Sequence, residues 1–313
     1  MERDAKIYVA GKKGLVGQAI VRRLAAGGYG NVVGSDIQDF DLTDPRATDA
    51  FFARERPDYV LLAAAKVGGI RANDTYPADF IRVNLQIETN VIDASWRHGV
   101  RKLMFLGSSC IYPKHAPQPM KEEHLLTGLL EPTNLPYAIA KIAGIALCQS
   151  YNRQHGTRFV AAMPTNLYGP GDNFDLETSH VLPAMIRKLH EAKLASRPSV
   201  ELWGTGTPRR ELLFVDDLAD ALVFMMERFE ATRELAFLNV GVGRDVTIRE
   251  LAETVREVVG YRGEIAWNAA MPDGTPRKLL DVTRLTALGW TARHGLEEGI
   301  RKTYAWYLTH GEG

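Results

Sequence analysis

The start of the chain constrains its fold more than any other stretch. Lys6-Ile-Tyr-Val-Ala10 is a short apolar run of the kind that forms a buried strand, and Gly11-Lys-Lys-Gly14-Leu-Val-Gly17 follows with no spacer. Leu15, Val16, Ala19, Ile20 and Leu24 then recur with helical period, up to Gly27-Gly28. A strand, a glycine turn and a helix N-terminus in immediate succession make an anion site, because the first N–H groups of a helix have no acceptor within it. This is the opening unit of a dinucleotide-binding fold, spaced GxxGxxG rather than GxGxxG.

Further strands are expected at 31–34, 58–64, 101–106 and 158–163. Helical patterns begin at Pro45, span 78–98, and run from Tyr137 to about Asn152. Strands alternating with helices imply an α/β protein with a Rossmann-type, doubly wound parallel sheet, whose ligands sit beyond the strand C-terminal ends. Gly11 to Gly17, Lys66 to Gly69 and Ser108 to Cys110 all lie at such ends. Past Pro164-Thr-Asn-Leu-Tyr-Gly-Pro170 the elements shorten: helices at 181–192, 216–227, 248–259 and 296–308, and strands at 200–203, 237–240 and near Ile265. Residues 1–166 read as the nucleotide-binding domain, to which later segments return. Residues 167–313 read mainly as a smaller substrate-binding lobe.

Charge excludes some partners. The chain has 38 basic and 38 acidic residues and no basic run, which argues against nucleic acid or membrane surfaces. No stretch approaches the length of about 18 apolar residues that a span requires. Cys110 and Cys148 do not form CxxC, which fits reduced thiols, and no metal-ligand pattern occurs. Residues 1–6 are charged and lack a signal-peptide core, so the cytoplasm is the expected location.

Tyr137 and Lys141 stand at i and i+4, on one helix face. An ammonium about 5 Å from a phenol, at an effective dielectric of about 20, favours phenolate by roughly 3 kcal/mol. Tyr137 is therefore expected to work as a general acid/base at about pH 8. With Ser108 at a strand end, the three make the layout of a sugar- or ketone-directed oxidoreductase. Asp36, just past the second strand, is placed for the ribose diol of NAD, while Lys13 in the glycine loop would attract the 2′-phosphate of NADP; the two cues conflict.

Several longer stretches carry a resemblance. They are Ala63-Ala-Ala-Lys-Val-Gly-Gly69, Gly107-Ser-Ser-Cys-Ile-Tyr-Pro113, Glu131-Pro-Thr-Asn134, Pro136-Tyr-Ala-Ile-Ala-Lys-Ile-Ala-Gly144, Met163-Pro-Thr-Asn-Leu-Tyr-Gly-Pro170, Asp172-Asn-Phe174, Ser179-His-Val181, Trp203-Gly-Thr-Gly-Thr-Pro208 and Pro272-Asp-Gly-Thr-Pro-Arg-Lys278. With them the chain resembles, over nearly its whole length, the extended short-chain dehydrogenase/reductase family, in its branch that acts on GDP-4-keto-6-deoxy-D-mannose. The resemblance implies 3,5-epimerisation and NADPH-dependent 4-reduction of that GDP-sugar to GDP-L-fucose, in a homodimer.

A 4-keto group acidifies the protons at C3 and C5, so inverting both centres needs a base and, on the opposite face, an acid. The resemblance assigns these roles to Cys110 and His180, the catalytic set being Ser108, Cys110, Tyr137, Lys141 and His180. The cofactor set it implies is Gly11, Lys13, Gly14, Leu15, Val16, Gly17, Asp36, Leu106, Gly107, Ser108, Ser109, Lys141, Pro164, Thr165, Asn166, Leu167 and His180. The substrate set is Asn166, Lys188, Trp203, Arg210 and Asp273. NADP(H) is the expected cofactor, with NAD(H) also accepted, because 34–39 holds no Arg or Lys. Other sugar-nucleotide epimerases, dehydratases and reductases share the fold, but a dehydratase wants an acid/base pair where Ser109-Cys110 stands. A catalytically silent dinucleotide-binding regulator would lack part of the Ser108, Tyr137 and Lys141 set.

Overall fold

The computed structural model describes residues 1–233, 235–271 and 273–311; Pro272, in one of the matching stretches, lies outside them. The first half alternates as expected: β1 (Ile7–Ala10), α1 (Leu15–Ala26), β2 (Val32–Ser35), α2 (Pro45–Glu55), β3 (Tyr59–Leu62), α3 (Ile70–Thr75), α4 (Pro77–Arg97), β4 (Lys102–Leu106), α5 (Leu135–His155) and β5 (Phe159–Pro164). The second half runs β6 (Asn166–Tyr168), α6 (Val181–Leu194), β7 (Ser199–Trp203), β8 (Arg209–Arg210), β9 (Leu212–Phe214), α7 (Val215–Arg228), β10 (Phe237–Val240), β11 (Val246–Thr247), α8 (Ile248–Val259), β12 (Glu264–Asn268), β13 (Arg277–Lys278), α9 (Thr283–Ala287) and α10 (Leu296–His310).

Six strands form one parallel sheet in the order β10-β5-β4-β3-β1-β2. Helices cover both faces, which is why β1, β3, β5 and β4 after Lys102 are continuous apolar runs rather than alternating ones. Successive side chains still point to opposite faces. Ile7, Val9 and Leu61 pack with Ile20 of α1 and Leu222 of α7. Tyr8, Ala10 and Val60 pack with Phe52 of α2, Ile92 of α4 and Ile145 of α5. Because β10 and α7 follow residue 167, the second half of the chain supplies one sheet edge and part of one helical layer. A third core joins α6, α8 and α10 through Ile186, Leu251 and Ile300. The small sheets β11-β8-β13 and β12-β7 flank it.

Local signals set the boundaries. Asp44 caps α2, its carboxylate accepting the N–H groups of Arg46 (2.8 Å) and Ala47 (3.3 Å), with Pro45 at the first helical position. Thr247 and Glu250 form a reciprocal capping box at α8. β5 reaches Pro164, one residue beyond the expected strand end. The short α3 was not expected, because six residues are too few to show a period. No described helix is long and apolar enough to cross a membrane.

Candidate active site

The glycine loop is built by backbone contact. Gly11 has φ +82° and donates its N–H to Ser35 O at 2.8 Å; a Cβ there would lie 2.9 Å from the backbone of Ala64. A Cβ on Gly17 would lie 1.9 Å from Gly11 O, so the turn and the first helical turn of α1 touch directly. Gly14 caps α1, which leaves the N–H groups of Leu15, Val16 and Gly17 without intrahelical acceptors. That cradle fits a dinucleotide pyrophosphate. At the end of β2 the Asp36 carboxylate accepts the Lys13 N–H (3.1 and 3.2 Å), and Lys13 Nζ donates to Gln38 (2.8 Å). Lys12 Nζ reaches Gly34 O (2.9 Å) and Asp39 (3.2 Å). Two ammoniums and two carboxylates therefore share the adenosine end, and the conflict read in the sequence persists in space. A cleft of about 480 Å³ opens here beside Lys12, Ser35 and Asp39, away from the catalytic side chains.

The other expected cofactor positions lie along strand ends. Leu106 closes β4, and Gly107 lies flat on β5, donating its N–H to Ala162 O (2.9 Å). Pro164 ends β5. Thr165 donates its N–H to Val240 O (3.0 Å), and Leu167 lies in β6. The Thr165 hydroxyl and the Asn166 amide both donate to Glu211 O, at 3.2 and 2.8 Å.

At the catalytic end, Ser108 accepts the Cys110 N–H (3.4 Å) and caps a single 3₁₀ turn, Ser109–Ile111. Cys110 is 9% exposed, and Ser109 is buried beside it. Tyr137 and Lys141 project from α5, with Lys141 Nζ 5.8 Å from the Tyr137 ring centre and 4.8 Å from that of Phe105. Gly144 makes this possible: a Cβ there would meet the Phe105 ring at 2.2 Å, so only glycine lets α5 seat on β4. Phe80 meets Tyr137 edge-on, with ring centres 6.2 Å apart.

The expected acidification of Tyr137 is overturned. Burial pushes its phenol well above the ordinary value, and Cys110 and Glu88 add to the rise. Desolvation of the phenolate is the largest cause. Burial likewise raises the Cys110 thiol, while Ser108, Lys278 and Lys141 oppose the rise. Burial lowers His180, and the Lys278 charge lowers it further. Lys278 itself is lowered by burial, with Cys110 opposing. One buried lysine therefore acts on both the thiol and the imidazole, which brings Cys110, Tyr137, Lys141 and His180 into a single electrostatic neighbourhood. His180 caps α6.

Lys188 of α6 holds its ammonium 5.6 Å from the ring centre of Trp203, which is 56% exposed. Asp273 clamps the turn after Trp203: its carboxylate accepts the Thr205 N–H (2.7 Å) and hydroxyl (2.8 Å). Arg210 is lowered by burial, with Asp273 opposing. Sequence reasoning missed Lys278 in its functional set, although it ends a stretch quoted above. It also missed Asn84 and Glu88 of α4. Their signal is polar residues at i and i+4 in line with Phe80 on a buried helix face.

Comparison with known proteins places the chain in a family. The model of the NAD dependent epimerase/dehydratase family matches residues 7–241. GDP-L-fucose synthase 1 of Arabidopsis thaliana is 58% identical over 307 residues, covering 98% of this chain and 94% of the relative. GDP-L-fucose synthase of Escherichia coli (strain K12) is 56% identical over 309 residues, covering 97% and 96%. The solved structure of MlghC, a GDP-mannoheptose C4 reductase from Campylobacter jejuni with NADP bound, superimposes with a TM-score of 0.91. It is 38% identical and covers 98% of this chain and 99% of its own.

Proposed function

The chain belongs to the NAD dependent epimerase/dehydratase family, and from that premise we propose that it converts GDP-4-keto-6-deoxy-D-mannose to GDP-L-fucose by 3,5-epimerisation and NADPH-dependent 4-reduction. The observation that carries this reading is the shared reach of Lys278. Its charge opposes the burial-raised pKa of Cys110, which favours the base, and lowers that of His180, so that a proton held there is given up more readily. A base and an acid that must act on one sugar ring need a common neighbourhood of this kind.

In this reading the Cys110 thiolate takes the proton from C3 and protonated His180 returns one on the opposite face; exchange with solvent resets both groups before the same pair acts at C5. Ser108 donates a hydrogen bond to the C4 oxygen while charge gathers there in the enolate. Bound NADPH supplies hydride. Tyr137 then gives the C4 oxygen its proton, and its burial-raised pKa keeps that proton in place until it is needed. Lys188, Trp203, Arg210 and Asp273, with Asn166, serve the nucleoside diphosphate end. Residues 1–166, with β10 and α7, hold the nucleotide, and the remainder of 167–313 closes on the sugar. The chain acts in the cytoplasm as a homodimer, paired through the outer faces of α4 and α5, where Trp96 (37% exposed) and Ile139 (40% exposed) are open to a partner.

The test supplies the keto-sugar in deuterated water without NADPH. Deuterium is expected at C3 and C5. Cys110→Ser is expected to lower exchange by at least about a hundredfold, the loss typical of a removed general base, while hydride transfer to C4 survives. An unchanged exchange rate removes the base assignment.

A further inference from the structure

Helix α4 presents Phe80, Asn84 and Glu88 four residues apart, on one face; they are 2%, 0% and 1% exposed. Phe80 touches Tyr137. Asn84 clamps the loop after β3, accepting the Lys66 N–H (2.9 Å) and donating to Lys66 O (3.0 Å). Glu88 meets Lys141: Oε1 and Nζ are 3.0 Å apart, with side chains 1% and 3% exposed. The contact is close but off the line of a hydrogen bond. Among the described residues neither Glu88 oxygen has an aligned donor, so the ammonium charge is what offsets burial of the carboxylate. A buried ion pair is a poor stability device, since apolar residues of similar volume commonly fill such a space at least as well. This pair therefore calls for another explanation, and it sits on the lysine whose ammonium lies 5.8 Å from the Tyr137 ring centre.

We propose that Glu88 is a positioning residue of the reductase half, anchoring the Lys141 ammonium and offsetting its charge so that Tyr137 meets the keto oxygen as a neutral, proton-bearing phenol. The inference rests on the reading of Tyr137 as the general acid. Lysine carries three donors on a flexible four-carbon stem. Glu88 fixes the head over Phe105 and engages one side of it, leaving donors for a ligand hydroxyl. An unopposed cation beside a phenol favours phenolate, which has no proton to give. The groups that feel the Glu88 charge are Lys141, Tyr137 and Cys148 from α5. The Cys110 thiol of the Ser109–Ile111 turn acts on Tyr137 from the other side. The Phe105 ring of β4 faces Lys141 and carries no charge, and on α4 itself the Asn84 amide is already engaged.

Glu88→Gln keeps the shape and removes the charge; Glu88→Asp keeps the charge. Reduction is followed from pH 6 to about pH 10, and deuterium exchange is measured at pH 7 in the same preparations. In Glu88→Gln the alkaline limb of kcat is expected to move to lower pH, so that its rate relative to wild type falls roughly tenfold between neutral and alkaline pH. Glu88→Asp is expected to keep the wild-type limb at a lower kcat, and exchange at pH 7 to persist in both. A Glu88→Gln limb that superimposes on wild type overturns the proposal. So does equal loss of exchange and reduction, which makes Glu88 a fold element. If the wild type incorporates no deuterium, the proposed function itself fails; if it exchanges and the limb is unmoved, only this inference does.

Discussion

Replacing Gly17 with Ala tests whether the glycine loop works through its backbone. The new Cβ would sit 1.9 Å from Gly11 O and 2.8 Å from Lys12 Cα, where an unstrained contact needs roughly 3.5 Å. The backbone must therefore open by about 1.5 Å. Neither side gives easily, because Gly11 is tied to Ser35 O and Gly17 belongs to α1. Overpacking of this kind costs up to about 3 kcal/mol. At roughly 2.1 cal/mol/K of unfolding entropy per residue, that lowers the Tm by up to about 5 °C for a chain of this length. The larger effect is local. Two displaced N–H groups, each worth about 1.5–3 kcal/mol to a charged acceptor, weaken NADPH binding by at least about a hundredfold. Gly14→Ala is the control: its Cβ would be 3.6 Å from Gly11 O, an ordinary contact, at φ −68°. That variant is expected to melt within about 1 °C of wild type, so that any loss of NADPH binding in it reports the cofactor's own approach to the loop. NADPH fluorescence titration and thermal melts of both variants decide the matter. An equal loss of Tm at the two positions, or none at either, refutes the reasoning.

Asp36→Ala removes a carboxylate that repels a 2′-phosphate and leaves Lys12 and Lys13 in place. The NADPH:NADH ratio of kcat/KM is expected to rise by roughly tenfold, and an unmoved ratio would show that Asp36 does not face the ribose. Trp203→Ala removes the platform under Lys188; KM for the GDP-sugar is expected to rise about tenfold, worth about 1–1.5 kcal/mol of stacking, with kcat little changed. Asp175 accepts the Thr178 hydroxyl (2.8 Å), the Thr178 N–H (2.9 Å) and the Glu177 N–H (3.1 Å), holding the turn before His180. The Thr178 bonds keep its carboxyl below the ordinary range. A carboxylate lowered in the folded state contributes stability that is full above its unfolded value near 3.9 and is lost as pH falls through the folded one. Amide protection at 177–178 is therefore expected to hold from pH 7 to about pH 5 and fall below about pH 4, and Asp175→Asn to abolish that dependence.

The sheet was legible because its strands are buried on both faces and each is followed by a helical period; its strand order was not, because the pairing joins segments far apart in the chain. The glycine triplet was legible as an anion site, but not the inequality of its members, which depends on how the turn folds against α1. Boundaries erred where a strand outran its apolar run, as at Pro164. β8, β11 and β13 are two residues long and hold no pattern at all. Chemistry divided along similar lines. Ser108, Cys110, Tyr137 and Lys141 stand close in sequence or at a helical repeat, so the motif names them together. Glu88 and Lys278 reach the same place from a distant helix and a two-residue strand. The Tyr137 expectation failed because charge is written in the sequence and desolvation is not; whether an ammonium or a dry wall prevails depends on Phe80 and Phe105, contacts made only on folding.

The two halves of the proposed reaction ask for opposite electrostatics within one pocket. Proton removal beside the ketone wants a thiolate, so it needs unbalanced positive charge; proton delivery to the C4 oxygen wants an intact phenol, so it needs that charge suppressed. A single lysine between the two side chains would help one and harm the other. Here the two lysines, which both oppose the rise of the thiol, differ in how far they are balanced. Lys278, whose Glu131 neighbour acts on it less than burial or Arg210 does, opposes the rise of the thiol and holds His180 down. Lys141, 3.0 Å from Glu88, is the balanced one and lies on the Tyr137 side. Removing the two compensations should therefore split the activities. Lys278→Met is expected to depress deuterium exchange more than reduction, and Glu88→Gln to depress reduction at alkaline pH more than exchange. Parallel losses in both variants, measured on the same substrate preparation, would mean that the pocket is one undivided field and that the difference in balance has no bearing on the chemistry.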